Sequence, residues 1–397
     1  MRVAVVCTDP GIPVFGSKGA SVHLQAVLRE LVADGHEVHV VSPRRDGVPL
    51  PGVHLHRLPA VTGRGGERER SARASDAAVA AVLDRVRPEL VYERYSLWGR
   101  TGTAWARAAG VPALLEVNAP LPEEQRLHRS LTDPAAADAV AAAALSAASA
   151  VVCVSDAVAD WARAVSARPD RVHVEPNGVD VDRVRPAGRP VTPAAGTSFT
   201  VGFVGSLKPW HGVETLVDAV AALAATDPGW RLLLVGDGPM AGPLLDRAAA
   251  LGVSSAVEAT GALPPAEVPA QLHRMDVAAA PYPPAEPCYF SPLKVFEYLA
   301  AGLPVVASRV GQLPALLAPD RPGGEPLGVL VPPGDVPALA GALAALRADV
   351  ARRERLGRAG RRAAEQRHTW RGVVRRSLAH ALGAAPDRRL QPAGGPR

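Results

Sequence analysis

The chain of 397 residues is poor in cysteine, in aromatic residues and in lysine. Its three cysteines lie far apart and form no CxxC pair, which argues against a zinc site and predicts reduced core thiols in a cytoplasmic protein. Aromatic residues make up 4% of the chain, too few for the stacking surfaces that bind single-stranded nucleic acid. The first apolar run is too short for a signal peptide, and Asp138 interrupts the alanine-rich stretch 135–154, so neither a leader nor a membrane span is expected.

Common ligand-binding fingerprints are missing as well. There is no GxxxxGK[ST] segment, and Gly11, Gly16 and Gly19 after the first apolar run do not fit GxGxxG, which disfavours P-loop chemistry and a dinucleotide site. Asp180 and Asp182 have the DxD spacing but follow an Asn-Gly-Val segment, so they are interpreted as turn residues. The sequence therefore predicts no bound metal and no cofactor.

Short runs rich in Val, Leu and Ala alternate with helical segments along most of the chain. This alternation predicts α/β architecture with open parallel sheets, and the length predicts two domains. The predicted strands are 2–7, 37–41, 53–58, 90–93, 113–117, 150–154 and 172–175 in the first half, and 199–204, 231–235, 257–260, 277–280, 304–307 and 328–331 in the second.

The stretch 185–198 is rich in Pro, Gly, Ala and Thr and has no periodicity, which predicts an interdomain linker. We therefore expect an N-terminal domain over 1–184 and a C-terminal domain over 199–369. In such a pair the default binding site is a cleft at the carboxyl ends of both sheets. Residues 386–397 have no apolar periodicity and predict a flexible basic tail.

Arginine is concentrated near the end of the chain. From Ala351 to Arg397 there are thirteen arginines and three acidic residues, whereas the whole chain has a formal charge of only +5. One interpretation is a pair of solvated arginine-rich helices with a tail. The other is a basic surface that meets an anionic membrane or an anionic carrier, which would place a cytoplasmic protein at the inner face of the membrane.

Lysine occurs only three times among 44 basic residues, and each lysine lies in a loop of the same design. Lys18, Lys208 and Lys294 stand beside Gly or Ser at a strand end or helix start. Backbone N–H groups at a helix N-terminus bind anions, and an ammonium adds a compact charge that a planar guanidinium cannot always replace. We predict that at least two of the three contact a diphosphate; chance placement is the alternative.

The segment YFSPLKVFEYLAAGLPVVAS (289–308) predicts a helix that begins at Ser291 or Pro292, ends at Gly302 and runs into a strand. Helical spacing places Lys294 and Glu297 on neighbouring faces near the helix start. A glutamate there could accept two hydrogen bonds from a ribose diol while the helix N-terminus holds phosphate. The alternative is a glutamate that only balances the helix dipole.

Five segments together resemble the family 4 retaining glycosyltransferases: GSKGASVH, PNGVD, FVGSLKPWHG, LLLVGDGP and the segment 289–308. The resemblance extends from Arg2 to about His380. It implies the GT-B fold, in which two Rossmann-like parallel-sheet domains face each other across a cleft. It also implies an acceptor-side N-terminal domain, a C-terminal domain that binds the nucleotide sugar, and a return of residues 370–385 to the N-terminal domain.

On the donor side, the resemblance implies that Lys208 and, with a larger departure from the family pattern, His211 act on the diphosphate, and Lys294 is the third candidate because of its loop. Glu297 ends the family's E-x7-E motif and is the implied ribose contact. Tyr289 replaces the first glutamate of that motif, which leaves the choice of sugar open. The remaining implied donor-binding residues, of which Ser291 to Leu293 would act through their backbone, are Gly19, Gly205, Ser206, Gly236, Phe290, Ser291, Pro292 and Leu293.

On the acceptor side, the family often has a histidine near the reacting centre after a strand ending at about Val117. This chain has Glu116 and Asn118 there, and these two residues and Lys18 are the acceptor-side candidates. No catalytic base is assigned.

The activity implied is a metal-independent, retaining transfer of a sugar from a nucleoside diphosphate to an acceptor hydroxyl. In this mechanism the hydroxyl attacks on the face that the nucleotide leaves, and the leaving phosphate takes the proton. A nucleotide-sugar epimerase or phosphorylase-like enzyme and a non-catalytic nucleotide-sugar-binding subunit remain alternatives. The sequence leaves the sugar, the base and the acceptor open.

Overall fold

The computed structural model describes residues 1–44, 46–188, 198–284, 288–319 and 323–383. The chain divides into two compact units, each built on one parallel sheet. Of the described residues, the first comprises Met1–Asn177, Tyr289–Ser291 and Trp370–Gly383; the second comprises Gly178–Cys288 and Pro292–Thr369. Most of the expected linker 185–198 and all of the expected tail 386–397 lie outside the described residues.

The first unit has seven parallel strands in the order β3-β2-β1-β4-β5-β6-β7. Helices cover both faces of such a sheet, so its inner strands are buried along most of their length, whereas the edge strand β3 is only partly buried. Val3 to Val6 are accordingly fully buried. The strands are β1 (Arg2–Val6), β2 (Glu37–Ser42), β3 (Val53–Arg57), β4 (Leu90–Arg94), β5 (Ala113–Val117), β6 (Ala150–Cys153) and β7 (Val172–Val174).

The helices of the first unit pack through apolar faces of helical period. Leu24, Val27, Leu28 and Leu31 of the first helix are buried in the core with Val3 and Val5 of β1. The helices are α1 (Gly19–Ala33), α2 (Gly65–Ala77), α3 (Val79–Val86), α4 (Thr101–Ala109), α5 (Leu121–His128), α6 (Pro134–Ala147) and α7 (Asp156–Val165).

The second unit repeats the plan with six parallel strands in the order β10-β9-β8-β11-β12-β13. Phe199, Phe203 and Trp230 form part of its core. The strands are β8 (Phe199–Val204), β9 (Trp230–Val235), β10 (Val257–Ala259), β11 (Val277–Ala280), β12 (Val305–Ser308) and β13 (Val329–Val331). The helices are α8 (Val213–Ala224), α9 (Ala241–Ala250), α10 (Val268–Leu272), α11 (Leu293–Ala300), α12 (Leu313–Leu316), α13 (Val336–Ala348) and α14 (Val350–Arg367).

A last helix, α15 (Trp370–Leu382), belongs to the first unit and packs on α1. Two charged contacts fasten it there: Arg376 pairs with Glu175 at 2.8 Å in the interior, and Arg375 pairs with Asp34 at the end of α1 at 2.8 Å. Among the described residues, no helix has both the length and the apolarity needed to cross a bilayer.

All thirteen predicted strands are present, with ends shifted by no more than two residues. The predicted fold class, two parallel-sheet α/β domains, is confirmed. The order of the strands reverses beside the first strand of each unit, between β1 and β4 and between β8 and β11. Open α/β sheets bind ligands outside the carboxyl ends of their strands at such points, so the loops after β1 and β8 are candidate sites.

Candidate functional site

The loop after β8 depends on glycine at two positions. Gly205 has a φ of +139°, which side chains rarely adopt, and its N–H donates to Val235 O at 2.9 Å. Gly236 also has a φ of +139°, and a Cβ there would lie 2.0 Å from Gly205 O. The two backbones therefore pass each other without side chains, which leaves the carboxyl edge of the sheet open for a ligand to approach.

A short 3-10 turn, Pro209–His211, folds His211 back onto this loop. The ring Nδ1 of His211 forms a hydrogen bond with Ser206 O. Burial, and then the nearby positive charges of Lys294 and Lys208, lower the pKa of His211 to about 4. The imidazole is therefore neutral near pH 7, donates from Nδ1 and keeps a lone pair on Nε2. A ligand phosphate can receive a proton from Nε2 only if it first raises this pKa.

Lys294 places an ammonium group in the interior of the second unit, which is unusual for lysine. It is the second residue of α11, and its side chain is buried with Nζ 4.0 Å from the centroid of the Phe203 ring. A Cβ on Gly205 would lie 3.0 Å from that Nζ. Within the described ranges, Nζ has no hydrogen-bond partner. Burial lowers the pKa of Lys294 to about 7, with partial compensation from Glu297.

Glu297 lies one turn further along α11 and is paired with Arg183, whose Nη2 donates to Glu297 Oε1 at 2.9 Å. Burial raises the pKa of Glu297, and Arg183 opposes that rise. Arg183 comes from the turn after Asn177-Gly178, where Asp180 Oδ1 accepts from the N–H groups of Asp182 and Arg183 at 3.1 and 2.9 Å. The interpretation of Asp180 as a turn residue is thus confirmed.

Lys208 is half-exposed, and its Nζ lies 5.7 Å from the centroid of the Trp210 ring. Trp210 is 58% exposed, which is unusual for tryptophan. The structure thus brings Gly205, Ser206, Lys208 and His211 into one loop at the switch point of the second sheet, and Lys294 lies against it.

The residues before α11 differ from the expectation in one respect. Pro292 was expected to supply a backbone donor to phosphate, but proline has no N–H, so this prediction was wrong for Pro292. The helix begins at Leu293, and the N–H groups of Leu293 and Lys294 belong to its first turn, which has no intrahelical partners. Phe290 is half-buried and Ser291 is buried.

Tyr289, which replaces the first glutamate of the E-x7-E motif, has a carboxylate beside it in the first unit. Its hydroxyl donates to Glu124 Oε2 of α5 at 3.2 Å. The position therefore presents a phenol paired with a carboxylate in place of a carboxylate alone.

In the first unit, the loop after β1 ends at Lys18, which occupies the N-cap position of α1 without a side-chain capping hydrogen bond, and Gly19 is the first helical residue. Both residues are exposed. The loop is held from below by Gln25, whose amide donates to Val14 O at 3.0 Å and to Gly16 O at 2.7 Å. These hydrogen bonds hold the loop at the switch point of the first sheet, and anion binding there stays a prediction.

Glu116 lies at the carboxyl end of β5 and is saturated by its neighbours. His23 Nε2, at 2.9 Å, and the Tyr92 hydroxyl contact Oε2, and Arg94 and Asn118 donate to Oε1. A carboxylate has about four lone-pair sites, so Glu116 has none left for an acceptor hydroxyl. Burial alone would raise its pKa, but His23 and Arg94 together with the hydrogen bonds hold the pKa well below its usual value.

Several arginines near the end of the chain form hydrogen bonds that stabilise the fold. Arg353 is 1% exposed and donates to Leu346 O and Arg347 O at the end of α13. Arg361 donates to Val184 O and Ala300 O, both at 2.8 Å. Together with the buried Arg376 of α15, these side chains make contacts inside the fold, so part of the basic charge does not contribute to a surface.

Sequence reasoning missed three of the residues described above. His23 follows Gly19 by one turn of α1, and a histidine in an otherwise apolar helical face was the available signal. Asn177 forms a hydrogen bond with Ser291 and Arg183 with Glu297, each 114 positions away, and no local sequence pattern predicts such pairs. No group of three metal-ligating side chains is found in the part of the chain that the structure describes.

Comparison with family profiles matches residues 17–183 to "Glycosyltransferase Family 4" and residues 198–349 to "Glycosyl transferases group 1". A D-inositol 3-phosphate glycosyltransferase of Saccharomonospora viridis is 35% identical over 227 residues, which cover 53% of this chain and 49% of that protein. Another, of Corynebacterium efficiens, is 28% identical over 405 residues and covers 90% and 89%. The matched part thus spans about half the length of the first of these relatives.

Among solved structures, the Anabaena protein HepE in complex with UDP and glucose has a TM-score of 0.72 at 20% identity, over 97% of this chain and 100% of that one. At 20% identity this similarity shows only that the two proteins share a fold, which is the GT-B fold.

Proposed function

This chain belongs to the family 4 glycosyltransferases within the group 1 glycosyl transferases, and we propose that it transfers a sugar from a nucleoside diphosphate to an acceptor hydroxyl, with retention and without a metal. The observation that carries the proposal is Lys294. A buried ammonium without a hydrogen-bond partner costs free energy unless a ligand supplies the missing anion. Its Nζ lies against Gly205, at the switch point where such folds bind ligands.

A diphosphate fits the remaining groups of this site. Lys294 Nζ lies 4.0 Å and the His211 ring 5.8 Å from the centroid of the Phe203 ring, and Lys208 is in the same short loop as His211. The first-turn N–H groups of Leu293 and Lys294 add fixed donors at the positive end of α11. Two or three positive groups around one open backbone edge match two linked phosphates better than a single carboxylate.

Glu297 is assigned to the ribose. Its Oε1 is held by Arg183, which fixes the carboxylate plane, and its Oε2 is the atom that we assign to a ribose hydroxyl. The relative HepE was solved with UDP and glucose, which supports a nucleotide sugar as the donor class.

The reaction follows from the charges. As the glycosidic bond breaks, negative charge develops on the diphosphate, and Lys294, Lys208 and the α11 N–H groups are already in place to stabilise it. The acceptor hydroxyl forms the new bond to the anomeric carbon and gives its proton to the departing phosphate. The two lysines and the helix supply the positive charge that a metal ion would otherwise provide. Retention is proposed from membership of the family.

In the first unit, Asn118 and Lys18 remain the acceptor-side candidates. Asn118 is half-exposed at the end of β5, and its amide is oriented by Glu116. Glu116 therefore orients Asn118 and His23 and does not itself contact an acceptor.

Calorimetric titration tests the donor site. The purified protein is titrated with UDP, GDP, ADP and dTDP, and with the matching monophosphates, beside the variant Lys294→Met, which keeps the length of the side chain and removes its charge. We expect at least one diphosphate to bind the wild type more tightly than its monophosphate, and Lys294→Met to abolish that preference. If no diphosphate binds, or if the preference survives in the variant, the assignment is wrong.

Nucleotide release from the matching nucleotide sugar then separates the proposed transferase from its alternatives. A transferase releases the nucleoside diphosphate quickly only when an acceptor is added. Rapid donor turnover without an acceptor would favour the epimerase or phosphorylase-like alternative. Tight donor binding without turnover on any acceptor of a broad panel would favour the binding subunit.

A further inference from the structure

Residues 289–291, immediately before α11, are held by two side chains of the first unit. Ser155, the N-cap of α7, donates from its hydroxyl to Tyr289 O at 2.6 Å. Asn177 makes two contacts with Ser291: its backbone N–H donates to Ser291 Oγ at 3.1 Å, and its side-chain amide donates to Ser291 O at 2.7 Å. These contacts fix both ends of a three-residue segment.

The Asn177–Ser291 contact is buried. Asn177 is 5% exposed and Ser291 is 8% exposed, so water does not compete for these hydrogen bonds. The amide orientation is set by the contact itself, because turning the amide over would place Oδ1 against Ser291 O. Asn177 therefore behaves as a fixed donor to one carbonyl.

That carbonyl belongs to the peptide bond that leads into α11. Ser291 O and the nitrogen of Pro292 share one planar peptide unit, and the proline ring fixes the next φ, here −79°. Only the ψ of Pro292 then separates the fixed carbonyl from the N–H of Leu293. A donor that holds Ser291 O thus sets the direction of the first free N–H groups of the helix.

The amide oxygen of Asn177, unlike the amide nitrogen, takes no part in the contact with Ser291. Its Oδ1 is buried and has no hydrogen-bond partner among the described residues. Asn177 lines a cavity of about 10 Å³, together with Glu175 and Ser377, which has room for about one water molecule.

We propose that Asn177 is the positioning residue of the diphosphate loop: by holding Ser291 O it aims the N–H groups of Leu293 and Lys294, and the start of α11, at the diphosphate. The inference rests on the proposed function, because it concerns how the same anion is held. Asn177 does not touch the nucleotide and acts through Ser291.

The test is titration of wild type, Asn177→Ala and Asn177→Asp with UDP, GDP, ADP and dTDP and with their monophosphates. Asp is isosteric but presents oxygen in place of the donor N–H. We expect both variants to bind the preferred diphosphate about 5- to 20-fold more weakly and its monophosphate within about twofold of wild type, on the scale of one lost hydrogen bond that orients a charged ligand. A purely structural role would not change this ratio.

Ser75→Ala is the matched control. It also removes one buried side-chain hydrogen bond to a carbonyl, that of Ser75 Oγ to Pro59 O at 2.8 Å in the same unit. It should lower the melting temperature without changing the ratio of diphosphate to monophosphate affinity. If the Asn177 variants do not fold, Ser291→Ala removes the neighbouring hydrogen bond from the Asn177 N–H to Ser291 Oγ, which holds the same residue, and should lower the same ratio.

The outcomes separate the two proposals. If wild type binds no diphosphate, the proposed function fails and this inference fails with it. If wild type shows the preference and the Asn177 variants keep it within twofold, the inference is overturned while the proposed function stands. If they lose diphosphate and monophosphate affinity equally, as a general loss of structure would cause, the inference is also overturned.

Discussion

Raising the pH should weaken nucleoside diphosphate binding through Lys294. Burial places the pKa of its free ammonium at about 7, so roughly half of the unliganded protein carries the charge at pH 7 and about one molecule in a hundred at pH 9. A bound diphosphate favours the charged form and raises this pKa. The contribution of Lys294 to affinity is therefore complete below about pH 6 and is lost progressively above pH 7, about 50-fold between pH 7 and pH 9.

Proton uptake on binding is the direct assay. Calorimetric titration at pH 7 in buffers of different ionisation enthalpy should show uptake of about half a proton through Lys294, plus whatever His211 takes up when the phosphate raises its pKa. In Lys294→Met the share of Lys294 disappears, and affinity becomes nearly independent of pH above 7. Equal uptake in both proteins would refute the assignment of Lys294 to the diphosphate.

Raising the pH should stabilise the unliganded protein, although it weakens diphosphate binding. An ammonium whose pKa is lowered in the folded state destabilises that state below its unfolded pKa of about 10.4, so stability should rise as the pH rises from about 7 towards 10. Lys294→Met should therefore melt at a higher temperature than wild type at pH 7 while binding diphosphate less well. A lower melting temperature would show that Lys294 is structural in the free protein.

Four further outcomes are expected. Glu297→Gln should mainly raise the KM for the donor with little change in kcat, because a ribose contact is equal in ground and transition states; a kcat loss alone would contradict the assignment. Turnover should survive EDTA, and full loss restored by Mg²⁺ would refute metal independence. Gly236→Ala should destabilise the protein by about 1–3 kcal/mol and weaken diphosphate binding, since its Cβ would meet Gly205 O; urea unfolding and titration check this. Glu116→Gln should flatten the loss of melting temperature that wild type shows as the pH falls below about 4, because the lowered pKa stabilises the fold only while Glu116 is ionised.

The strands could be predicted because buried parallel strands have a simple signature. Runs such as 3–6 and Val277–Ala280 are apolar throughout and each follows a charged residue, and this local pattern suffices to locate them. The rarity of lysine drew attention to three loops, of which those of Lys208 and Lys294 belong to one unit and that of Lys18 precedes α1 in the other; that these lysines contact a diphosphate stays a prediction.

Contacts between residues far apart in the sequence could not be predicted. The environment of Glu116 is set by β4 and α1, which contribute Tyr92, Arg94 and His23, so its saturation could not be seen in the segment around Val117. The donor role of Pro292 was wrong for a local reason, the missing N–H. Asn177 and Ser291 are 114 positions apart, and periodicity carries no information on such a pair.

The central claim is that the positive charges of the buried Lys294 and the half-exposed Lys208 stabilise a departing diphosphate. Steady-state kinetics of Lys294→Met and Lys208→Ala test it most directly, with Arg231→Ala as the control. Arg231 is exposed at the amino end of β9, so it lies at the opposite edge of the sheet from the site. Both lysine variants should lose about 10²- to 10³-fold in kcat, more than they lose in donor affinity, because the charge matters most as the bond breaks. If both variants retain a kcat equal to that of Arg231→Ala, the account is contradicted.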